Sequence, residues 1–170
     1  MVLIAEGKIA KSNYPNTPAV RLLRSRNITF KPHTYAYVDH GGAGQAADAL
    51  HVAAYTVIKT LVMETQDRLS ILMLMHGNRS VSTRQLARAI GIKSVNPVAP
   101  EKALRLTGYQ VGGISPFGTR RTMPVFAQCT IFDLRSILIN GGKRGFLVEI
   151  DPVVLLKNLS IRTVDVVVPE

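Results

Sequence analysis

The chain has one cysteine, no tryptophan, only five tyrosines and five phenylalanines, and eleven acidic residues against twenty-one Lys and Arg. Each shortage excludes something. A single thiol, Cys129, cannot close an intramolecular disulfide, and no Cys/His grouping has the spacing of a zinc site. A reducing compartment is therefore expected, with neither a metal nor a cofactor. No apolar run approaches the length of a membrane span, and the opening "MVLIAEGKIAK" lacks the basic start and long apolar core of a secretory signal. A cytoplasmic protein without membrane contact is the expectation. The shortage of acid leaves a net charge of +10 and a sequence pI near 10.2. That balance favours polyanions, nucleic acid first among them.

What is present is enough to build one core. A chain of 170 residues, 46% apolar and without low-complexity tracts, reads as a single ordered domain. Thr17 is placed to cap a helix, with Pro18 in its first turn and Val20 and Leu23 on one face, so about three helical turns follow. "ITFKPHTYAYV" reads as a strand interrupted by Pro32, and "GGAGQAADALHVAAY" as a flexible turn leading into a short alanine-rich helix. "YTVIKTLVMET" (55–65) and "RLSILMLMHG" (68–77) make a hairpin across "ETQD". "VSTRQLARAIG" is a capped helix ending at Gly91, and "APEKALRLTG" another. Loops and strands follow, with a helix in "DPVVLLKNL" and a closing strand "RTVDVVV". The pattern predicts an α+β fold: a single domain with a curved, mixed, partly barrel-like sheet surrounded by short helices.

Lys59 stands in the middle of an apolar strand. It shares a face with Val57, Leu61 and Met63, while Ile58, Thr60 and Val62 take the other. A cation there must reach solvent, meet an anion or lose its proton. An edge-strand lysine that blocks aggregation is the plain alternative. "GAGQAA" (42–47) fits a dinucleotide-binding turn, but the strand before it carries Lys31, Pro32 and His33 and no βαβ units follow. "GGKRG" (141–145) lacks the spacing and ending of a phosphate-binding loop. His33, His40, His51 and His76 are scattered and read as structural or solvated, and Cys129 in "FAQCTIF" as a buried, inert thiol. In "TGYQVGGISPFG" (107–118), Gly112, Gly113 and Pro116 fix a turn whose uncovered N–H groups could hold a carbonyl oxygen or a phosphate; an ordinary hairpin loop remains open. Basic residues gather in "RLLRSR" (21–26), "TRR" (119–121) and "GGKRG", which folding could unite.

Taken in order, "TPAVRLL", "HTYAY", "VIKTLVM", "ARAIGIKSV", "ALRLTGYQVGGISPFG", "INGGKRG" and "LLKNL" resemble the YbaK/ProX family of free-standing aminoacyl-tRNA deacylases, relatives of the editing domain of bacterial prolyl-tRNA synthetases. The resemblance covers nearly all of 17–170 and leaves 1–16 as an extension of unassigned role. It implies a trans-editing deacylase that clears mischarged tRNA, Cys-tRNA(Pro) foremost and Cys-tRNA(Cys) with it, the substrate's own thiol attacking the ester. Water-based hydrolysis of Ala-tRNA(Pro) and a non-catalytic tRNA- or synthetase-binding module are the alternatives. By position, Lys59 and Gly112 inherit catalytic roles; Tyr35, Gly113, Ile114, Ser115 and Pro116 inherit substrate contact. Arg120, Arg121, Lys143 and Arg144 become candidates for acceptor-stem phosphates. The implied partners are the acceptor end of a mischarged tRNA and prolyl-tRNA synthetase. Two positions depart from the family pattern: Asn140 where a serine is usual, and Leu147 where an aspartate is usual.

Overall fold

The structure, a computed structural model, describes residues 13–169; the expected extension over 1–16 therefore lies mostly outside the described residues. Local signals account for the helices. In α1 (Pro18–Ser25) the Thr17 hydroxyl accepts from the Val20 N–H at 3.1 Å, and Val20 and Leu23 are wholly buried. The helix is eight residues long, shorter than three turns. In α3 (Thr83–Ile90) Ser82 caps the start and Gly91, at φ 75°, the end; Gly108, at φ 81°, closes α4 (Pro100–Thr107). A short α5 (Val153–Asn158) completes the set with α2 (Gly42–Leu50). A turn does precede α2, closed by the Gly41 N–H donating to the Val38 carbonyl at 2.9 Å. Gly42 and Gly44 belong to the helix itself, so the dinucleotide-like "GAGQAA" forms no phosphate-binding loop.

Among the described residues eight strands join one mixed sheet. β1 (Lys31–Thr34), β7 (Phe146–Ile150), β6 (Ile137–Lys143), β2 (Val57–Thr65), β3 (Ser70–His76), β5 (Val125–Gln128) and β8 (Ile161–Val164) lie side by side in that order, and β4 (Val95–Pro97) pairs with β2. Pro32 does not interrupt β1. It sits opposite Val148 on an end strand, where a missing N–H is tolerated. The expected hairpin is β2–β3, in continuous register from Ile58↔His76 to Glu64↔Ser70. β6 runs parallel to β2 but matches it only at Val57↔Leu138 and Ile58↔Ile139, and β4 pairs with it from Met63 to Thr65. Between those two neighbours one edge of β2 stays open.

The two faces of β2 are covered differently. Ile58 and Val62 enter the main core beneath α1, with Leu72, Leu74, Phe117, Ile139 and Phe146. On the other face, Val57 packs under α2 with Ala46, Ala47, Leu138 and Leu147, while Met63 packs under α3 with Met73, Met75 and Leu86. Lys59 falls between these two clusters, where neither helix covers the sheet. The strand keeps its apolar alternation and places one cation in the gap.

Candidate functional site

The open edge of β2 borders a cleft of about 440 Å³. Tyr35 and Tyr37 line it beyond β1, Ala43 and Ala46 from α2, Val57 to Leu61 from β2, and Gly112 and Ile114 from the loop after α4. Asn140, Arg144 and Leu147 of the β6–β7 hairpin close it. Lys59 is half-buried there, and its ammonium has no hydrogen bond or ion pair to any described residue. Burial alone holds its pKa below the usual lysine value of 10.5. Desolvation likewise raises the Tyr35 phenol, with Tyr37 adding to it.

The contrast with a second recess is instructive. That recess, about 380 Å³ and polar, lies at the far end of β2, where Glu64 and Lys102 pair with each other. Its Lys102 is met by a carboxylate. The charge of Lys59 is left for an occupant.

The glycine loop is held by close backbone approach. Gly112 has φ 91°, and a Cβ there would lie 2.6 Å from the Tyr37 hydroxyl oxygen. A Cβ on Gly113 would lie 2.7 Å from the Arg144 backbone nitrogen. Asn140 ties loop to hairpin: its Nδ2 donates to the Gly112 carbonyl (3.1 Å), while its Oδ1 accepts from the N–H groups of Gly142 (2.7 Å) and Lys143 (3.1 Å). Arg144 adds a second tie. Its Nε donates to the Val111 carbonyl at 2.9 Å, and its guanidinium lies over the Tyr37 ring, 5.2 Å from the centroid. The Asn140 side chain thus spans both segments. Leu147 is 4% exposed and makes that wall apolar.

The structure brings Lys59, Tyr35, Gly112, Ile114 and Arg144 to one cleft and leaves other named residues behind it or outside. Gly113 is buried, and its N–H donates to the Gln110 carbonyl at 2.8 Å, so it shapes the turn. The N–H groups of Gly112 and Ile114 have no acceptor among the described residues. Ser115 is fully buried and its hydroxyl accepts from the Phe117 N–H (3.1 Å); Pro116 is buried beside it, and neither lines the cleft. Arg120, Arg121 and Lys143 are exposed. The backbone N–H groups of Arg120 and Arg121 donate to Thr107 and Leu106, the last carbonyls of α4. Gly113 packs on the Lys143–Arg144 backbone and Gly118 on Pro18 and Ala19, so the 119–121 and 141–145 segments flank the glycine loop, whereas Arg24 and Arg26 of the first basic segment bond to Tyr14 and Asn158.

Cys129 is corrected. It is exposed, at the start of a 3-10 turn (Cys129–Asp133), and is not a buried thiol. His33 pairs with Glu149 at 2.7 Å, and this bond lowers the Glu149 pKa. His76 is fully buried; its Nδ1 meets the Tyr55 carbonyl, which can only accept, so Nδ1 carries the proton and Nε2 accepts from Thr130 (both 2.7 Å). Among the described residues no group of three His, Cys, Asp or Glu side chains could hold a metal ion, and no helix is long and apolar enough to cross a membrane. Tyr37 and Thr60 line the cleft without having been singled out in the sequence. The alternation of Tyr35 and Tyr37 in "HTYAY" is the signal that would have found the first.

A family profile described as "Aminoacyl-tRNA editing domain" matches residues 41–157, from the start of α2 through α5, and so takes in the whole of Lys59's strand, the glycine loop and the hairpin. The chain belongs to the aminoacyl-tRNA editing domain family. This editing domain is 27% identical over 147 residues to EbsC of Enterococcus faecalis, by name a candidate Cys-tRNA(Pro)/Cys-tRNA(Cys) deacylase, covering 86% of this chain and 90% of that one. It is 28% identical over 102 residues to the proline–tRNA ligase of Streptococcus uberis, covering 60% of this chain and 16% of the ligase. Among solved structures, a candidate trans-editing enzyme for prolyl-tRNA synthetase superposes with a TM-score of 0.80 at 21% identity, over 92% of this chain and 100% of that one. The editing domain therefore shares the α+β fold of that solved structure, and the family profile assigns it to aminoacyl-tRNA editing.

Proposed function

We propose that residues 17–170 form a trans-editing deacylase whose substrate is Cys-tRNA(Pro), with Cys-tRNA(Cys) a second substrate. The observation that carries the reading is the unpaired, half-buried Lys59 in a cleft whose lining includes no cysteine and no buried carboxylate. Among the described residues of that lining Asp39 is the one acid, its side chain 73% exposed beside a still more open His40. A wall without an activated nucleophile suits a substrate that brings its own. The cysteinyl sulfur attacks its ester carbonyl, the bond to the ribose oxygen breaks, and the thiol proton passes to that oxygen. A cyclic thiolactone and free tRNA are the products. Lys59 supports the developing charge, and the Gly112 and Ile114 N–H groups face the carbonyl oxygen. The EbsC similarity supports this choice of amino acid.

Single-turnover rates on Cys-, Ser- and Ala-tRNA(Pro) test it. Cys-tRNA(Pro) is expected to be cleared at least about a hundredfold faster than Ser-tRNA(Pro), because a hydroxyl is a far weaker nucleophile than a partly ionised thiol near neutral pH. Cys129→Ala should leave the rate intact, since Cys129 does not line the cleft. Equal rates on Cys- and Ala-tRNA(Pro), with free amino acid as the sole rapidly quenched product, would instead place water as the nucleophile.

Arg120, Arg121, Lys143 and Arg144 are proposed as the phosphate contacts, with prolyl-tRNA synthetase a further partner. Each charge-neutral substitution among the four should flatten the slope of log K against log salt by somewhat under one unit. Unchanged slopes in filter-binding titrations would move the tRNA surface elsewhere. Arg144 should also lose turnover, because it braces the glycine loop as well.

A further inference from the structure

One strand residue in the cleft has none of its polar groups satisfied. The Val57 carbonyl accepts from Gly77 and the Thr65 N–H donates to Leu69, both on the β3 side, whereas the Val62 carbonyl accepts from Val98 on the opposite side. The register with β3 is unbroken from Ile58 to Glu64, so odd residues of β2 aim their backbone groups at β3 and even residues aim away. Thr60 therefore aims its N–H and C=O into the open edge between the end of the β6 pairing at Ile58 and the start of the β4 pairing at Met63. No described residue bonds to either group. Its hydroxyl oxygen is buried and also unpartnered. A donor, an acceptor and a hydroxyl left open at one buried residue are a rarity in folded proteins, and each invites an explanation. Gly112, Ile114 and Asn140 stand around the same opening.

We propose that the aminoacyl group of the substrate docks on Thr60 as a one-residue antiparallel strand. This rests on the deacylase reading above and names the part of the substrate that the sheet edge holds. An aminoacyl ester has the N–Cα–C=O backbone of an amino-acid residue. In a hydrogen-bonded antiparallel pair two residues exchange both of their N–H···O=C bonds. The Thr60 N–H donates to the ester carbonyl, and the Thr60 C=O accepts from the α-amine, which donates whether charged or neutral. Facing residues of such a pair put their side chains on the same face, so the Thr60 hydroxyl lies alongside the substrate's side chain. The ester carbonyl is then gripped between β2 and the glycine loop, and the α-amine becomes a recognised group.

Two kinds of measurement test this. With 15N-labelled protein, a non-hydrolysable alanyl analogue carrying an amide in place of the ester at the 3′ position of adenosine is titrated. The Thr60 amide proton should move downfield on saturation, and the propionyl analogue, which lacks the α-amine, should bind about tenfold more weakly. In single-turnover assays on mischarged tRNA, Thr60→Pro removes the N–H without touching the ladder to β3 and should lower kcat/KM by about tenfold or more. Thr60→Val keeps both backbone groups and should still discriminate against the substrate lacking the α-amine. Should Thr60→Pro fail to fold, a backbone ester at position 60 removes the same N–H. A Thr60 amide that stays still while the Gly112 and Ile114 amides shift, or a folded Thr60→Pro with parental kcat/KM, overturns the inference but leaves the deacylase. A parent protein inactive on every mischarged tRNA would bring down both.

Discussion

Lys59→Met is expected to lower single-turnover deacylation by about 10²–10³-fold, the scale of losing one positioned charge-stabilising donor, while the protein stays folded. The cation stands in an uncovered gap between two apolar clusters and has no described partner, so its removal orphans nothing. Stability should rise. Burial lowers the Lys59 pKa, so the folded state holds that proton less tightly than the unfolded chain, whose lysine titrates at the ordinary 10.5. At neutral pH the charged side chain opposes folding. That opposition fades as pH climbs from the lowered folded value toward 10.5 and is gone above it. Urea melts of Lys59→Met and parent should therefore differ at pH 7 and converge in strong alkali. A variant that unfolds would give Lys59 a structural role, and one with full turnover would remove it from the chemistry.

The second large effect belongs to the glycine pair, whose members should fail in different ways. Gly113→Ala forces a methyl against the Arg144 backbone, which has no rotamer to yield, and should destabilise the fold by about 1–3 kcal/mol or more. Gly112 is exposed and its nearest neighbour is the end of the Tyr37 side chain. Gly112→Ala should therefore cost about 1–2 kcal/mol through its positive φ and lose most of its turnover by displacing Tyr37 and the Asn140 tie. Adding Tyr37→Phe removes the clashing hydroxyl and should restore part of the activity. Denaturant midpoints and kcat/KM, measured on all three variants, separate the cases. Equal stability losses in Gly112→Ala and Gly113→Ala would refute the division.

Where a signal is local, the sequence was enough. Thr17, Ser82, Gly91 and Gly108 each close a helix end with their own chain neighbours, and the β2–β3 hairpin needs only its alternation and a short connection. The family elements also point to Lys59 and the glycine loop, which the fold places on opposite sides of one cleft. Other features depend on partners far away in sequence. Cys129 looked buried because its neighbours are apolar, yet the chain leaves the sheet at Gln128 and turns the thiol outward. Asn140 acts on Gly112, 28 residues distant. Thr60 is conspicuous only once β6 and β4 are seen to stop short on either side of it. No pattern within β2 announces where its neighbours end.

The parallel pairing of β2 with β6 also dates the site. Val57 and Leu138 are about eighty residues apart in the chain, and contacts that distant close late, after entropy has been spent on everything between them. The β2–β3 hairpin can form within microseconds; the cleft cannot. At the pace of translation, the ribosome needs on the order of ten seconds after making Lys59 to deliver Asn140 and Leu147. Throughout that interval the nascent chain carries Lys59 on a strand with no pocket around it. The cleft is thus incomplete on the ribosome until Leu147, with only about a seventh of the chain still to be made, has been added.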